Sequence, residues 1–335
     1  MKTRILGKTG YTVSEVSLGT WQVGGGWGAS FDLEEAVRTV ETALDQGVTF
    51  IDTADVYGNG DSERAVAEAL RRRGLLGGNR VRVATKCGRR LSPHIADGYT
   101  AENLTGFVED SLRNMGLETL DLVQLHCPPT DVYYRPAVFD AMDRLQAQGK
   151  IRHYGVSVER VEEALKAIEF PGVATVQIIY NMFRQRPAER FFAEAAARNV
   201  GVIVRVPLAS GLLTGKMRRD TAFAAGDHRA FNREGAAFDR GETFAGVDYE
   251  TGLRAVEALR EVFPEVPGGP SLAQIALRWV LMEPAVSCVI PGASREAQAR
   301  ANAAASGLPP LTPEQMAAVR RIYDTYLRPM VHPCW

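Results

Sequence analysis

Several things are scarce in this sequence, and each scarcity removes a class of function. No apolar run approaches the roughly 20 residues a membrane-spanning helix needs, and the opening Met1-Lys-Thr-Arg-Ile-Leu-Gly lacks the apolar core of a secretory signal. The expected address is therefore cytoplasmic. The four cysteines, Cys87, Cys127, Cys288 and Cys334, contain no C-x-x-C pair. Free thiols in a reducing compartment suit that spacing better than a disulfide framework or a zinc knuckle. Five histidines, with no H-x-H among them, leave little from which to build a metal centre, so none is expected. An excess of one sign of charge is also missing. The 39 Lys and Arg against 40 Asp and Glu give a formal net charge of -1, which predicts no general attraction to nucleic acid or an acidic membrane surface. Any anion site must be local. Finally, no G-x-G-x-x-G joins an early strand to a helix, as a dinucleotide-binding sheet of the common kind would require.

What the sequence does contain is a regular alternation. The 335 residues, 45% hydrophobic and 24% charged, have the composition of an ordinary globular enzyme. A hairpin at about 3–13 precedes a first strand at 15–19. Apolar strand-like runs then end near Asp52, Lys86, His126 and Ser157, and continue at 173–177, 202–206 and 285–290. Helical patterns lie between them at about 32–46, 62–73, 101–115, 136–148, 159–168 and 188–198, with later ones at 249–262, 271–282, 295–304 and 313–326. Eight strand–helix units argue for parallel strands joined by right-handed crossovers. A closed (β/α)8 TIM barrel is favoured, as a single domain over 1–335 with an N-terminal hairpin and extra C-terminal helices. An open doubly wound sheet is the competing arrangement. The irregular stretch at 218–247 suits a loop covering the barrel mouth, and the tail at 327–335 is apolar enough to dock on the barrel or a partner subunit.

In such a barrel the carboxyl ends of all strands open on one face, so residues distant in sequence converge there. Asp52, Tyr57, Lys86 and His126 all stand at or just beyond strand ends. A tyrosine beside a lysine ammonium has its phenolate favoured, which lowers its pKa and fits it for general acid–base work. Two turns suit anions: Pro207-Leu-Ala-Ser-Gly-Leu-Leu-Thr-Gly-Lys216, rich in glycine and hydroxyls, and Ile290-Pro-Gly-Ala-Ser-Arg295, where the last strand meets a helix amino terminus. Two such turns at neighbouring strand ends suit a ligand with two separated phosphates.

The phrases Phe50-Ile-Asp-Thr-Ala-Asp-Val-Tyr-Gly58, Ala84-Thr-Lys86, Asp121-Leu-Val-Gln-Leu-His126, Tyr154-Gly-Val-Ser157, Val176-Gln177 with Tyr180-Asn181, 207–216, and Ile290-Pro-Gly292 through Gln298 to Asn302 resemble the aldo-keto reductase family in order and spacing. The resemblance covers about residues 3–326. It implies a (β/α)8 reductase using NADP(H), or NAD(H), on a small carbonyl or alcohol substrate. Tyr57 would give the proton, Lys86 paired with Asp52 would tune it, and His126 would orient the carbonyl. Gly19, Thr20, Trp21 and Asp52 would border the cofactor, and Ser157 and Gln177 would hold its carboxamide. Pro207, Leu208, Ser210, Gly211 and Lys216 would take the pyrophosphate, and Gly292, Ser294, Gln298 and Asn302 the adenosine end. Two departures stand out. Val158 replaces a frequent Asn, and Arg205 stands where many relatives stack an aromatic on the nicotinamide, a role a planar guanidinium can also fill. Trp21, Trp27, Tyr57 and His126 are the expected pocket walls.

Other barrel chemistries fit less well. Glycosidases need two facing carboxylates, and no glutamate ends a strand to accompany Asp52. A cysteine–histidine nucleophile from Cys127 and His126 fails because adjacent strand residues face opposite sides. A nucleotide-sensing auxiliary subunit is the competing reading from outside catalysis.

Overall fold

The first eight-strand barrel contacts come from short strands. In a computed structural model that describes residues 1–25 and 31–335, β1 (Thr3–Ile5) and β2 (Thr12–Ser14) form the expected antiparallel hairpin. Trp27, an expected pocket wall, lies outside the described residues. Then follow β3 (Leu18–Gly19), β4 (Phe50–Asp52), β5 (Arg82–Cys87), β6 (Leu120–His126), β7 (Ile151–Ser157), β8 (Val173–Ile179), β9 (Gly201–Arg205) and β10 (Val286–Val289). Each pairs in parallel with the next. Bridges Val16↔Val289 and Gly19↔Gly292 bring the two edges together. A Cβ on Gly19 would stand 2.7 Å from the Ile290 carbonyl oxygen, so this closure needs glycine there. The barrel is the (β/α)8 arrangement rather than the open sheet.

Period-2 alternation sets the contents of the barrel. Phe50, Ala84, Leu122 and Ile203 point inward at the lower level and pack with Leu6 and Val13 of the hairpin region. Two residues further along the same strands come Asp52, Lys86, Gln124 and Arg205, so the interior changes from apolar to ionic towards the carboxyl ends.

The surrounding helices are α1 (Leu33–Asp45), α2 (Asp61–Arg72), α3 (Ala101–Met115), α4 (Pro136–Ala147), α5 (Val161–Ala167), α6 (Phe191–Ala197), α7 (His228–Phe231), α8 (Tyr249–Val262), α9 (Leu272–Val280), α10 (Glu296–Ala304), α11 (Pro313–Ile322) and α12 (Arg328–Val331). Side-chain caps start several of them, with Asp32 accepting from the Glu35 amide and Thr100 from that of Asn103. Three expectations need correction. The first barrel strand is only two residues long. Residues Arg186–Ala188 form a separate 3-10 turn before α6, with Pro187 near its start. And α11 stops at Ile322, giving way to a π-turn at Tyr323–Leu327 just ahead of Pro329, which has no N–H for a regular helical bond.

The 218–247 stretch is more structured than its composition suggests, containing α7 and a 3-10 turn at Arg240–Gly246. The tail docks: Val331 and Trp335 are buried, and the Trp335 indole N–H donates to Asp239 at 2.9 Å. Among the described residues no helix is long and apolar enough to cross a membrane.

Candidate active site

Asp52 is the last residue of β4, Lys86 sits near the end of β5, and His126 ends β6. Lys86 Nζ donates to Asp52 Oδ1 at 2.5 Å and to the Thr53 carbonyl at 2.9 Å, and lies 3.4 Å from the Tyr57 hydroxyl. The other Asp52 oxygen accepts from Gln124 Nε2 at 3.2 Å and Gln177 Nε2 at 2.8 Å. An ion pair this deeply buried survives only when the remaining lone pairs and protons are also satisfied, and these two amides do that for the carboxylate. The turn after Tyr57 depends on Gly58, whose φ is 58° and whose added Cβ would fall 2.4 Å from the Gly24 carbonyl oxygen. That turn brings the phenol back over Lys86 and sets its ring 5.8 Å from that of His126.

The expected direction of the Tyr57 shift is wrong. Burial, the largest influence, pushes the phenol pKa up; Lys86 pulls it down, but Asp52 and Glu242 add to the rise, and the net is upward. For Lys86 burial acts downward, yet Asp52 and Tyr57 together outweigh it and raise the ammonium. Burial, then Arg89 and Lys86, hold His126 well below the ordinary imidazole range, so the ring is neutral. Its Nδ1 is buried with no protein partner.

Around this tetrad lies a second charged group, of which the sequence pointed only to Arg205. Arg89 Nη2 donates to Glu242 at 2.6 Å, and Arg205 pairs with Glu159 at 2.9 Å and Glu242 at 3.3 Å. Burial and the neighbouring Glu242 push Glu159 up to about 8. Burial acts the same way on Glu242, but Arg89 and Arg205 override it and hold that carboxyl low. The two acids thus share essentially one negative charge near neutrality. Glu159 follows β7 by two residues and pairs with Arg205, while Asp52 is held by Lys86, Gln124 and Gln177. The ligand atoms of Cys127, Glu159 and Glu242 lie within 4.8 Å of one another. A cation there would face two guanidiniums, and burial holds the Cys127 thiol in its protonated form.

The remaining candidate residues fall into three places. Gly19 pairs with Asp52 in the β3–β4 ladder, while Thr20 Oγ1 donates to the Asp52 carbonyl at 2.9 Å. The Trp21 ring is 6.5 Å from Tyr57 and 4.9 Å from His228 of α7, so the 218–247 stretch does reach the mouth. Ser157 ends β7 and is buried, with its hydroxyl 3.5 Å from Cys127 Sγ. Gln177 spends its amide N–H on Asp52. Arg205 lies in the ion-pair cluster, not free to lie flat on a ring, although its Nε is buried without a protein partner.

The turn after β9 bends through positive φ at Val206, Ala209, Ser210 and Gly211, with the Ala209 amide donating to the Val206 carbonyl at 3.1 Å and that of Gly211 to Leu208 at 2.9 Å. Val206 tolerates φ 50° because Asn181 Nδ2 holds its carbonyl at 2.9 Å. Pro207 and Leu208 carry the chain into this turn. Ser210 already receives the Phe244 amide at 3.0 Å, and Lys216 is exposed at the edge. At the next strand end Gln298 Oε1 accepts from the Ser294 amide at 2.7 Å and hydroxyl at 2.9 Å, and Asn302 Nδ2 reaches the Gly292 carbonyl at 3.1 Å. The orphaned His126 Nδ1 and Arg205 Nε and the two turns fit a dinucleotide laid across the mouth.

Gln124 could have been found from its spacing, two residues before His126 on one strand face. Arg89 gave a weaker signal, three residues past Lys86. Glu242 gave none.

Comparison with known proteins bears on the family and the fold. The family model described as "Aldo/keto reductase family" matches residues 15–324. The chain is similar to "Aldo-keto reductase YhdN" of Bacillus subtilis (strain 168), 30% identical over 306 residues, covering 90% of this chain and 87% of that protein. It is similar to a "Probable voltage-gated potassium channel subunit beta" of Arabidopsis thaliana, 28% identical over 97% of each chain. Among solved structures it resembles the glycerol dehydrogenase AKR11B4 from Gluconobacter oxydans, with a TM-score of 0.76, 30% identity, and 97% and 96% of the two chains covered.

Proposed function

The chain belongs to the aldo/keto reductase family, and on that premise we propose that it interconverts a small carbonyl compound and its alcohol in the cytoplasm, using NADP(H) or NAD(H). The cofactor, when bound, would supply the hydride that the carbonyl carbon receives. Tyr57 gives its proton to the carbonyl oxygen, and its raised pKa keeps that proton in place at neutral pH. Lys86 steadies the phenolate that remains, Asp52 and the two glutamine amides hold Lys86, and the neutral His126 orients the carbonyl oxygen by a hydrogen bond. Ser157, Gln177 and Arg205 would hold the nicotinamide end, the 207–216 turn the pyrophosphate, and the Gly292–Asn302 segment the adenosine end. The observation that carries the reading is Lys86 Nζ held between Asp52 at 2.5 Å and the Tyr57 hydroxyl at 3.4 Å. The substrate is an aldehyde, ketone or sugar, and the likeness to a glycerol dehydrogenase supports a neutral polyol-type compound.

A Tyr57→Phe variant tests this. NADPH binding, followed by the fluorescence of the reduced nicotinamide, should persist while turnover falls by on the order of 10²-fold or more. Full turnover in that variant would remove Tyr57 from the chemistry. The likeness to potassium channel β subunits favours a second reading, a nucleotide-sensing auxiliary subunit. Tight NADPH binding with no turnover across a broad panel of aldehydes, ketones and sugars would select it.

A further inference from the structure

We propose that Glu242 is a specificity-determining residue that occupies the anion-binding donors of Arg89 and thereby turns carboxylate-bearing carbonyl compounds away from the mouth. Arg89 stands three residues beyond Lys86 and shares Glu242 with Arg205, at 2.6 and 3.3 Å, while Arg205 Nη2 lies 3.5 Å from the Sγ of Cys127, the neighbour of His126, so the Arg89 guanidinium stands beside the strand ends that carry the tetrad. Left without Glu242 it would present paired N–H donors to a substrate carboxylate. In the structure Glu242 Oε1 takes the Nη2 donor at 2.6 Å while Oε2 lies 3.3 Å from Arg205 Nη1, the side chain reaching in from the 3-10 turn at Arg240–Gly246 to bridge both guanidiniums.

That turn is held from behind. Asp239 accepts from both the Trp335 indole at 2.9 Å and the Gly241 amide at 2.6 Å, and Arg184 Nη1 donates to the Gly241 carbonyl at 3.0 Å. The Ser210 hydroxyl donates to the Glu242 carbonyl at 3.1 Å. The backbone that carries the carboxylate is therefore held by bonds separate from the carboxylate's own ion pairs. Glu159 gives Arg89 a longer contact, at 3.8 Å against 2.6 Å for Glu242, because its hydrogen bond goes to Arg205 at 2.9 Å. An arriving substrate carboxylate would meet a guanidinium already paired and a like charge.

Oxalate titrated calorimetrically into the apoprotein tests this without turnover. Wild type should bind it weakly, Glu242→Ala roughly 10-fold or more tighter, and the double variant Glu242→Ala with Arg89→Ala should return to the wild-type level. Equal affinity in wild type and Glu242→Ala, or a gain that survives loss of Arg89, would overturn the assignment. Should Glu242→Ala fail to fold, Glu242→Gln keeps the volume, removes the charge and is expected to tighten oxalate binding in the same direction; no tightening there also overturns it. The catalytic arm rests on the reductase reading. The ratio of kcat/KM for succinic semialdehyde to that for butanal should rise roughly 10-fold in Glu242→Ala, and an unchanged ratio counts against the proposal. If wild type turns over neither aldehyde nor any other carbonyl, the reductase reading fails while the oxalate titration still decides the role of Glu242.

Discussion

Lys86 is the residue through which the reaction centre and the stability of the barrel are joined. Its ammonium is only 1% exposed and its partner Asp52 only 2%. Replacing it with methionine would strand a buried carboxylate, a loss on the order of 3–5 kcal/mol, read as a lower urea midpoint. The same change removes the Lys86 charge that pulls the Tyr57 phenol down. Alcohol oxidation needs the phenolate, so the rise of that rate with pH should move to higher pH in Lys86→Met; an unmoved profile would separate Lys86 from the tyrosine. The positions of the four tetrad residues were legible because each stands where an apolar strand stops. The sign of the Tyr57 shift was not, because it depends on how deeply the phenol is buried once Gly58 turns the chain, and no spacing encodes burial. Glu242 and Arg89 are 153 residues apart, and neither flanking segment carries a pattern that pairs them.

At the scale of elements, the stretch at 218–247 and the tail are two halves of one structure. Composition alone showed an irregular loop and an apolar tail. The contact between them is legible only in the fold, where Trp335 fills the space left by two glycines: a Cβ on Gly241 would lie 2.4 Å from the indole Nε1, and one on Gly246 2.5 Å from its six-membered ring. The Arg184 guanidinium covers the ring at 4.7 Å. Trp335→Ala should cost about 3–5 kcal/mol, the usual range for emptying a buried tryptophan site, and should open the 239–246 turn to proteolysis. Trp335→Phe keeps most of the packing and loses only the bond to Asp239, about 1 kcal/mol. If the alanine variant unfolds at the wild-type urea concentration, the tail does not brace the mouth. The helices were readable wherever caps and amphipathic spacing agreed, as in α3, whose bounds match expectation, and misread where proline forced a change of winding at Pro187 and Pro329.

For the whole molecule, the barrel was legible from eight alternations of strand and helix, but what it buries beside the strand ends was not. Asp55, two residues before Tyr57, is fully buried and neither of its carboxylate oxygens has a hydrogen-bond partner. Burial first, then the neighbouring Glu63, raises it to about 7, with Arg90 at 4.0 Å opposing only weakly. A carboxyl whose folded pKa lies above its unfolded value of 3.8 binds its proton more tightly in the fold. Its stabilising contribution is therefore complete below that value and is lost as pH climbs through about 7. Buried neutral imidazoles such as His126 act in the opposite sense over part of that range, because their contribution is present above the unfolded imidazole pKa and fades as pH falls. The pH dependence of wild type alone would mix the two. The difference between Asp55→Asn and wild type isolates the acid, since asparagine supplies a neutral group of the same shape. That difference, measured by urea unfolding, should shift in favour of the variant from pH 4 to pH 7 by about 4 kcal/mol at most, at 1.36 kcal/mol per unit, and stay level above. A difference that is flat across that interval would mean that Asp55 is ionised in the fold, with Arg90 or water paired to it after all.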